Sequence, residues 1–448
     1  MTRKLFGTDG VRGVAGEFLT AELALALGRA ATAQTGVERP QVLIIRDTRE
    51  SGDMLQAALA AGVSAAGGEA LLGGVLPTPA APLLIGRYGF DLAAVLSASH
   101  NPYQDNGIKF FAGDGYKLSD ETELAIEREL LADGAPLHRD PASDGAAPHA
   151  GCVRELRGAP EDYLRELHTR FAELDLSGLR VLLDCANGAT HHVAPEIFRR
   201  LGADVSVIAD LPDGRNINAG CGSTHTEALA AGVRVGGFAL GFAFDGDGDR
   251  VLAVDSGGAL VDGDELMALI ALHLRDSGRL SGNGVVVTVM TNYGFHSAMR
   301  DAGIEVAVAG VGDRYVLEEL RARGWTLGGE QSGHVIEMSF NRTGDGIASA
   351  LLTLEALAGR DLGERDAMSK LPQRLVNVRV RDRGALAAAD DVAEAVRAAE
   401  QELEGRGRVL VRPSGTEPLV RVMVEAPSDE EAEEVCGRLV ALVQSRLA

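Results

Sequence analysis

The sequence predicts an α/β protein of successive layered domains that ends in a smaller α+β domain. Three observations predict it. Short continuous apolar runs at 42–45, 93–96 and 240–244 alternate with helical periodicities, and such alternation builds sheets covered by helices. Residues 132–151, ADGAPLHRDPASDGAAPHAG, have no periodicity and read as a linker. Residues 375–381 alternate apolar and polar side chains, the mark of a half-buried antiparallel strand.

The elements follow in order. Residues 19–36 read as a helix: Thr20 caps it, Leu23, Leu27 and Ala30 share a face, and Gly36 stops it. The run 42–45 is a strand buried on both faces, a helix follows over 54–66, and 93–96 is the next strand. Beyond the linker, strands at 179–183 and 203–208 flank a helical stretch, and a strand at 240–244 runs into an acidic loop. A third α/β stretch has a strand at 284–290, a helix near 294–302 and a strand at 304–309. From about 371, a strand at 375–381, a strand–loop–strand over 409–424 and a helix opened by the capping-box spacing Ser428 to Glu431 make the α+β domain.

Composition narrows the function. The chain has 448 residues, a soft prior of three domains. It carries 43 Lys+Arg against 65 Asp+Glu, a net charge of −22. That balance argues against nucleic acid and anionic membranes as partners. Four cysteines, none in a C-x-x-C, suggest reduced thiols rather than a zinc site. The first residues lack the apolar core of a signal peptide and no run reaches a membrane span, so a cytoplasmic protein is expected. Glycine, 56 residues, is the outlier, and suggests many places where backbone turns tightly or approaches a ligand.

The strongest chemical signal is Asp245-Gly-Asp-Gly-Asp-Arg250, entered from an apolar strand. Asp245, Asp247 and Asp249 repel one another, and a hard cation removes the repulsion; all-carboxylate ligation suits Mg²⁺. A solvated acidic turn is the bland alternative. An EF-hand fails because position 12 is Ser256. Ser97-Ala-Ser-His-Asn-Pro102 places Ser99 in a small-residue turn after a strand, although such a loop is more often an ordinary turn. Adjacent Ser99 and His100 are poorly placed as a nucleophile–base pair, and no G-x-S-x-G is present. Lys109 is one of only four lysines and can act as a point charge or as an acid or base; a snorkelling surface lysine is the alternative. In Gly328-Gly-Glu-Gln-Ser-Gly-His334, Glu330 and Ser332 can bind hydroxyl or amino groups, and His334 can move protons. Arg412-Pro-Ser-Gly-Thr-Glu-Pro418 reads equally as a phosphate cradle or a polar hairpin loop.

Together the phrases FGTDGVRG (6–13), SASHNPYQDNGIKFF (97–111), DCANGATHHVAPEIF (184–198), PDGRNINAGCGSTH (212–225), FDGDGDR (244–250), VGDRYVLEEL (311–320), GGEQSGHVI (328–336), TGDGI (343–347) and VRPSGTEPLVRVMVEA (411–426) resemble the α-D-phosphohexomutase superfamily, in its order. The wording is most similar to its phosphoglucosamine mutase branch, over residues 5 to about 445. The resemblance implies three similar mixed α/β domains and a smaller C-terminal α+β domain around a central cleft, with boundaries at 1–150, 151–254, 255–370 and 371–448. It implies an isomerase that interconverts glucosamine 6-phosphate and glucosamine 1-phosphate, through a phosphoserine enzyme and a 1,6-bisphosphate, on the route to UDP-N-acetylglucosamine and cell-wall precursors.

Ser99 would be the phosphoserine, and with Asp245, Asp247 and Asp249 would bind one Mg²⁺. Arg12, Lys109 and Arg250 would surround its phosphate. Glu330 and Ser332 would read the sugar, while Arg412, Ser414, Gly415 and Thr416 would hold the non-reacting phosphate. His334 matches a position proposed for acid/base work. Glucosamine or glucose 1,6-bisphosphate would be the activator and a small sugar phosphate the partner; oligomeric state stays open. Two departures stand out: Ala239 where relatives often have Asp, and Gly310 where they often have Lys. Phosphomannomutase or phosphoglucomutase, an aspartyl-phosphate phosphatase and a non-enzymatic sugar-phosphate binder are the competing readings.

Overall fold

The computed structural model describes residues 4–7, 9–131, 150–413 and 418–447. Most of the linker read at 132–151 lies outside them, as do Ser414, Gly415 and Thr416. The described residues form two compact units, one of Met1–Val289 with Ala307–Arg365, the other of Met290–Val306 with Asp366–Ala448.

The first unit carries three sheets. In the first, β1 (Val11–Val14), β2 (Gln41–Arg46), β3 (Glu69–Val75), β4 (Leu92–Leu96), β5 (Asp105–Ala112) and β6 (Cys152–Glu155) stand in the order β1-β5-β4-β2-β3-β6. β4, β2, β3 and β6 are parallel, while β5 runs antiparallel to both β4 and β1. The apolar runs at 42–45 and 93–96 occupy β2 and β4, buried along those stretches. The helix Ala21–Ala33 begins at Thr20, whose hydroxyl accepts the N–H of Leu23 at 3.2 Å. It packs closely on the helix Gly52–Ala65 because Gly28 and Gly62 stand at the crossing. A Cβ on Gly28 would lie 2.4 Å from the Leu59 carbonyl oxygen, and one on Gly62 2.0 Å from that of Leu25.

The second sheet contains β7 (Arg180–Asp184), β8 (Asp204–Ile208), β9 (Leu240–Phe244), β10 (Val251–Asp255) and β11 (Leu260–Val261), ordered β11-β10-β9-β7-β8. The third contains β12 (Gly284–Thr288), β13 (Glu305–Ala309, counted in this unit from Ala307 on), β14 (Leu327–Gly329) and β15 (Val335–Glu337), ordered β13-β12-β14-β15. Each sheet mixes parallel and antiparallel pairs. The helix Gly263–Asp276 opens with a complete capping box between Asp262 and Glu265.

The second unit is the α+β part. β16 (Gln373–Arg379), β17 (Arg408–Pro413) and β18 (Leu419–Glu425) form an antiparallel sheet ordered β16-β18-β17. Its core joins Val378, Val420, Val422 and Val424 of the sheet to Val435, Leu439 and Val443 of the helix Asp429–Leu447. Ser428 accepts the Glu431 N–H at 3.2 Å, as the capping-box spacing predicts. The segment Met290–Val306 belongs to this unit. There Asn292 exchanges hydrogen bonds with the Leu371 backbone, and the Tyr293 N–H donates to the Glu425 carboxylate.

Candidate functional site

β9 and β10 pair antiparallel with Phe244 opposite Val251, so the six residues between them form a tight connection. Both strands are buried throughout. The loop therefore presents its carboxylates inside the protein rather than to water. Asp245, Asp247 and Asp249 are buried, and one ligand atom from each lies within 4.8 Å of the others. Gly248 turns the chain at φ +70° with Thr190 behind it.

The oxygens of this loop fall into two sets. Asp245 accepts the Arg250 N–H at 3.1 Å and the Ser99 hydroxyl at 2.6 Å. Asp247 Oδ2 accepts the Thr78 hydroxyl at 2.6 Å and the Lys109 ammonium at 2.8 Å. Asp247 Oδ1 and Asp249 Oδ1 are buried with no hydrogen-bond partner. Burial, then the charges of Asp249 and Asp247, holds the Asp245 carboxyl well above its usual range. At Asp249 burial acts the same way, but His334, Lys109 and Arg250 outweigh it and bring the carboxyl below its usual value. Orphaned carboxylate oxygens in a repelling cluster fit a hard divalent cation, the donor set Mg²⁺ takes.

Ser99 leads into this cluster from the loop after β4. It is buried and sits at φ +52°, rare for a residue with a Cβ. That conformation turns its hydroxyl toward Asp245. It also lets the neighbouring His100 Nδ1 come to 3.3 Å, closer than adjacency in sequence suggests, although the 2.6 Å bond to Asp245 is the shorter one. Lys109 lies on β5 opposite Val95, buried, with its ammonium 2.8 Å from Asp247, 3.7 Å from Asp9 and 3.8 Å from Asp249. Burial alone would lower its pKa, but these three carboxylates raise it, so it stays charged.

The ion pairs continue outward. Asp9 pairs with Arg12 and with Lys117, and Lys117 also reaches Asp313. Asp313 lies 3.7 Å from His334 Nε2, which accepts the Gly344 N–H at 3.1 Å, while His334 Nδ1 lies 3.6 Å from Asp249. Arg250 reaches His100 Nδ1 at 3.2 Å. The N-terminal segment that carries Asp9 and Arg12 is tied down by buried Glu127. Its carboxylate accepts the N–H groups of Lys4, Leu5 and Phe6 at 2.7–3.0 Å.

Ser99, Lys109, Arg12, the three aspartates, Arg250 and His334 are thus joined by one network of contacts in the first unit. Glu330 accepts the Gly312 N–H at 3.0 Å four residues before His334, and Ser332 is exposed at the same turn. Arg412 lies in the second unit on β17, opposite Arg421 of β18. Sequence reasoning missed Asp9, Arg49, Thr78, Lys117, Asn218, Asp313 and Asp345. Asp9, Asn218, Asp313 and Asp345 stand inside the phrases that carry the family resemblance, and Lys117 had the scarcity of lysine to mark it. Arg49 and Thr78 carry no local signal.

Four family models match successive stretches. The phosphoglucomutase/phosphomannomutase alpha/beta/alpha domains I, II and III match residues 3–135, 161–258 and 262–375, and the C-terminal domain matches 375–442. The phosphoglucosamine mutase of Moorella thermoacetica is 52% identical over 441 residues, covering 97% of this chain and 98% of that protein. That of Desulforudis audaxviator is 51% identical, covering 98% and 97%. Among solved structures, a phosphoglucomutase/phosphomannomutase family protein from Burkholderia thailandensis superposes with a TM-score of 0.79 at 22% identity, covering 99% of this chain and 97% of that one. Aspergillus fumigatus N-acetylphosphoglucosamine mutase, solved with GlcNAc-6P and magnesium, gives 0.68 at 18% identity, covering 100% and 96%. These two structures share the fold.

Proposed function

The chain belongs to the phosphoglucomutase/phosphomannomutase family, among its phosphoglucosamine mutases, and from that premise we propose how its residues interconvert glucosamine 6-phosphate and glucosamine 1-phosphate. The enzyme is an isomerase. One observation carries the assignment of roles: the Ser99 hydroxyl, held 2.6 Å from Asp245, enters a carboxylate triad with two unpartnered oxygens.

Ser99 Oγ carries a phosphoryl group in the resting enzyme. It gives that group to the free hydroxyl of the sugar phosphate and forms a 1,6-bisphosphate. It then takes the other phosphoryl group back. Asp245, Asp247 and Asp249, with the phosphate on Ser99, would hold one Mg²⁺. The ion supplies charge neutralisation to the transferring group. Lys109, Arg12 and Arg250 add fixed positive charge around the same phosphate, and phosphoryl transfer depends chiefly on such stabilisation and alignment. Lys109 is suited to this because its carboxylate neighbours keep it protonated.

Glu330 and Ser332 read the sugar's amino and hydroxyl groups, and His334 handles a proton near them. Arg412, Ser414, Gly415 and Thr416 grip the phosphate that does not react. Burial, then the Arg421 guanidinium, lowers the Arg412 pKa, and an anion placed at Arg412 relieves that cost. The domain boundaries at 150, 254 and 370 belong to this reading; four separate family matches support a division into four, although 254 and 370 lie a few residues inside the matches 161–258 and 262–375. A sugar 1,6-bisphosphate activator and a cytoplasmic location belong to it as well. Supporting the location, the described cysteines are all free and no described helix is long and apolar enough to cross a membrane.

The test is a substrate panel of glucosamine, glucose and mannose phosphates with Mg²⁺ and a trace of glucose 1,6-bisphosphate. Glucosamine phosphate should give the highest kcat/KM. Intact mass should show one phosphate on the active protein, and Ser99→Ala should remove both that mass and turnover. Full turnover by Ser99→Ala would refute these roles.

A further inference from the structure

The unusual backbone of Ser99 needs something to hold it. Two side chains from different parts of the chain grip the same pair of carbonyl groups. Arg49 Nη2 donates to the carbonyls of Ser99 and Asn101, each at 2.9 Å. Asn218 Nδ2 donates to the same two, at 2.9 and 3.1 Å. Arg49 is fully buried; Asn218 is nearly so.

The two grips differ in what stands behind them. Arg49 pairs with Asp47 at 2.8 Å, Asp47 accepts the Ser97 hydroxyl at 2.6 Å, and Ser97 Oγ accepts the Ser99 N–H at 2.9 Å. Its other nitrogen reaches the carbonyls of Pro102 and Asp105. Arg49 therefore anchors the serine loop to its own sheet. Asn218 reaches the metal loop as well. A Cβ added to Gly246 would lie 2.8 Å from Asn218 Nδ2 and 2.6 Å from the Ser99 carbonyl oxygen. Asn218 itself sits at φ +58° and donates its N–H to the Ala186 carbonyl at 2.9 Å.

We propose that Asn218 is a positioning residue for Ser99, which, with Arg49, locks the serine carbonyls so that Oγ meets Asp245. This rests on Ser99 as the phosphoryl carrier. Neither residue is among those assigned to the sugar or its distal phosphate. Their loss therefore acts on phosphoryl transfer, where small misplacements are costly, and leaves ground-state binding alone.

The experiment compares wild type, Asn218→Gly and Asn218→Asp as full chains with Mg²⁺ and glucose 1,6-bisphosphate. Glycine accepts the positive φ and removes both hydrogen bonds. Aspartate keeps the shape but turns a carboxylate toward two carbonyl oxygens. Asn218→Gly should lower kcat by roughly 10- to 100-fold, with KM for glucosamine 6-phosphate within about twofold of wild type. Phosphate uptake by the dephosphorylated protein from glucose 1,6-bisphosphate, followed by intact mass, should slow by the same factor. Asn218→Asp should be worse in both. Arg49→Lys keeps the charge without the fork and should fall in between; if it does not fold, Asn218→Gly still decides. A kcat within twofold of wild type, a loss confined to KM, or a loss equal to the unfolded fraction overturns the proposal. A wild type that takes up no phosphate and does not turn over overturns the Ser99 reading too, whereas an active wild type with an indifferent variant overturns only this one.

Discussion

Two loops of the first unit look alike in sequence and behave differently. Residues 245–249 read D-G-D-G-D and residues 344–346 read G-D-G. Both place buried aspartates between glycines. In the first, Asp247 Oδ1 and Asp249 Oδ1 have no hydrogen-bond partner and the carboxylates repel. In the second, Asp345 is satisfied. It caps the helix Gly346–Leu357 through the Ala348 N–H at 3.0 Å, and accepts the Tyr163 hydroxyl at 3.0–3.1 Å and Asn341 at 3.3 Å. The Gly344 and Gly346 N–H groups on either side bind His334 and the Gly248 carbonyl. One loop is incomplete without a cation; the other braces it. What separates a metal loop from a structural one is whether its oxygens have partners, not how many acids it holds.

The contrast is testable at both loops. Asp245→Asn should lower turnover by at least about 10²–10³-fold and raise the melting temperature of the chelator-treated protein, because a repelling charge is gone. A lower melting temperature in EDTA would place Asp245 with the satisfied loop. Chelation of the wild type should likewise stop turnover. Asp345→Ala should cost about 2–4 kcal/mol in urea unfolding, from a lost cap and stranded donors. Its kcat per folded molecule should fall far less than that of Asp245→Asn.

The pH response of Asp345 separates charge from capping. Burial pushes its carboxyl up to about 6, against the hydrogen bonds of Ala348 and Tyr163. A raised carboxyl pKa means that the folded state binds the proton more tightly. Stability from this group is therefore greatest below about pH 4 and falls as pH rises to about 6, by up to about 3 kcal/mol. Wild type should gain stability relative to Asp345→Asn as pH drops from 7 to 4, read as a difference of melting temperatures. An unchanged difference would mean that Asp345 titrates normally. The smallest effect expected is from Tyr163→Phe, about 1 kcal/mol in urea unfolding for one buried hydrogen bond whose acceptor keeps other donors.

The apolar strands and the acid triad were legible because each is a local pattern. The run 240–244 matches β9 residue for residue, and D-G-D-G-D-R announces itself over six positions. Lys109 stands out for its rarity, but Asn106-Gly107 hides its strand. The Gly107 Cα sits so close to Ser97 that a Cβ would lie 2.4 Å from its carbonyl oxygen, so a strand position there demands a turn-former. Arg49 is illegible for another reason: its partner lies 50 positions away, and one polar side chain in a loop carries no period to read. Asn218 stands inside a family phrase, but its role depends on a partner 119 positions away. The Gly346 contact with Gly248 and the Tyr163–Asp345 pair depend on tertiary placement in the same way.

The tether at Glu127 also sets a timetable for synthesis. The Phe6 N–H is bound by a carboxylate 121 positions later, and β1 finds its partner only in β5. On a ribosome adding 5–20 residues per second, the 121 residues from Phe6 to Glu127 take roughly ten seconds to polymerise. β1, with Arg12 on it, can therefore be seated only after β5 has been made, and lacks its strand partner for most of that interval.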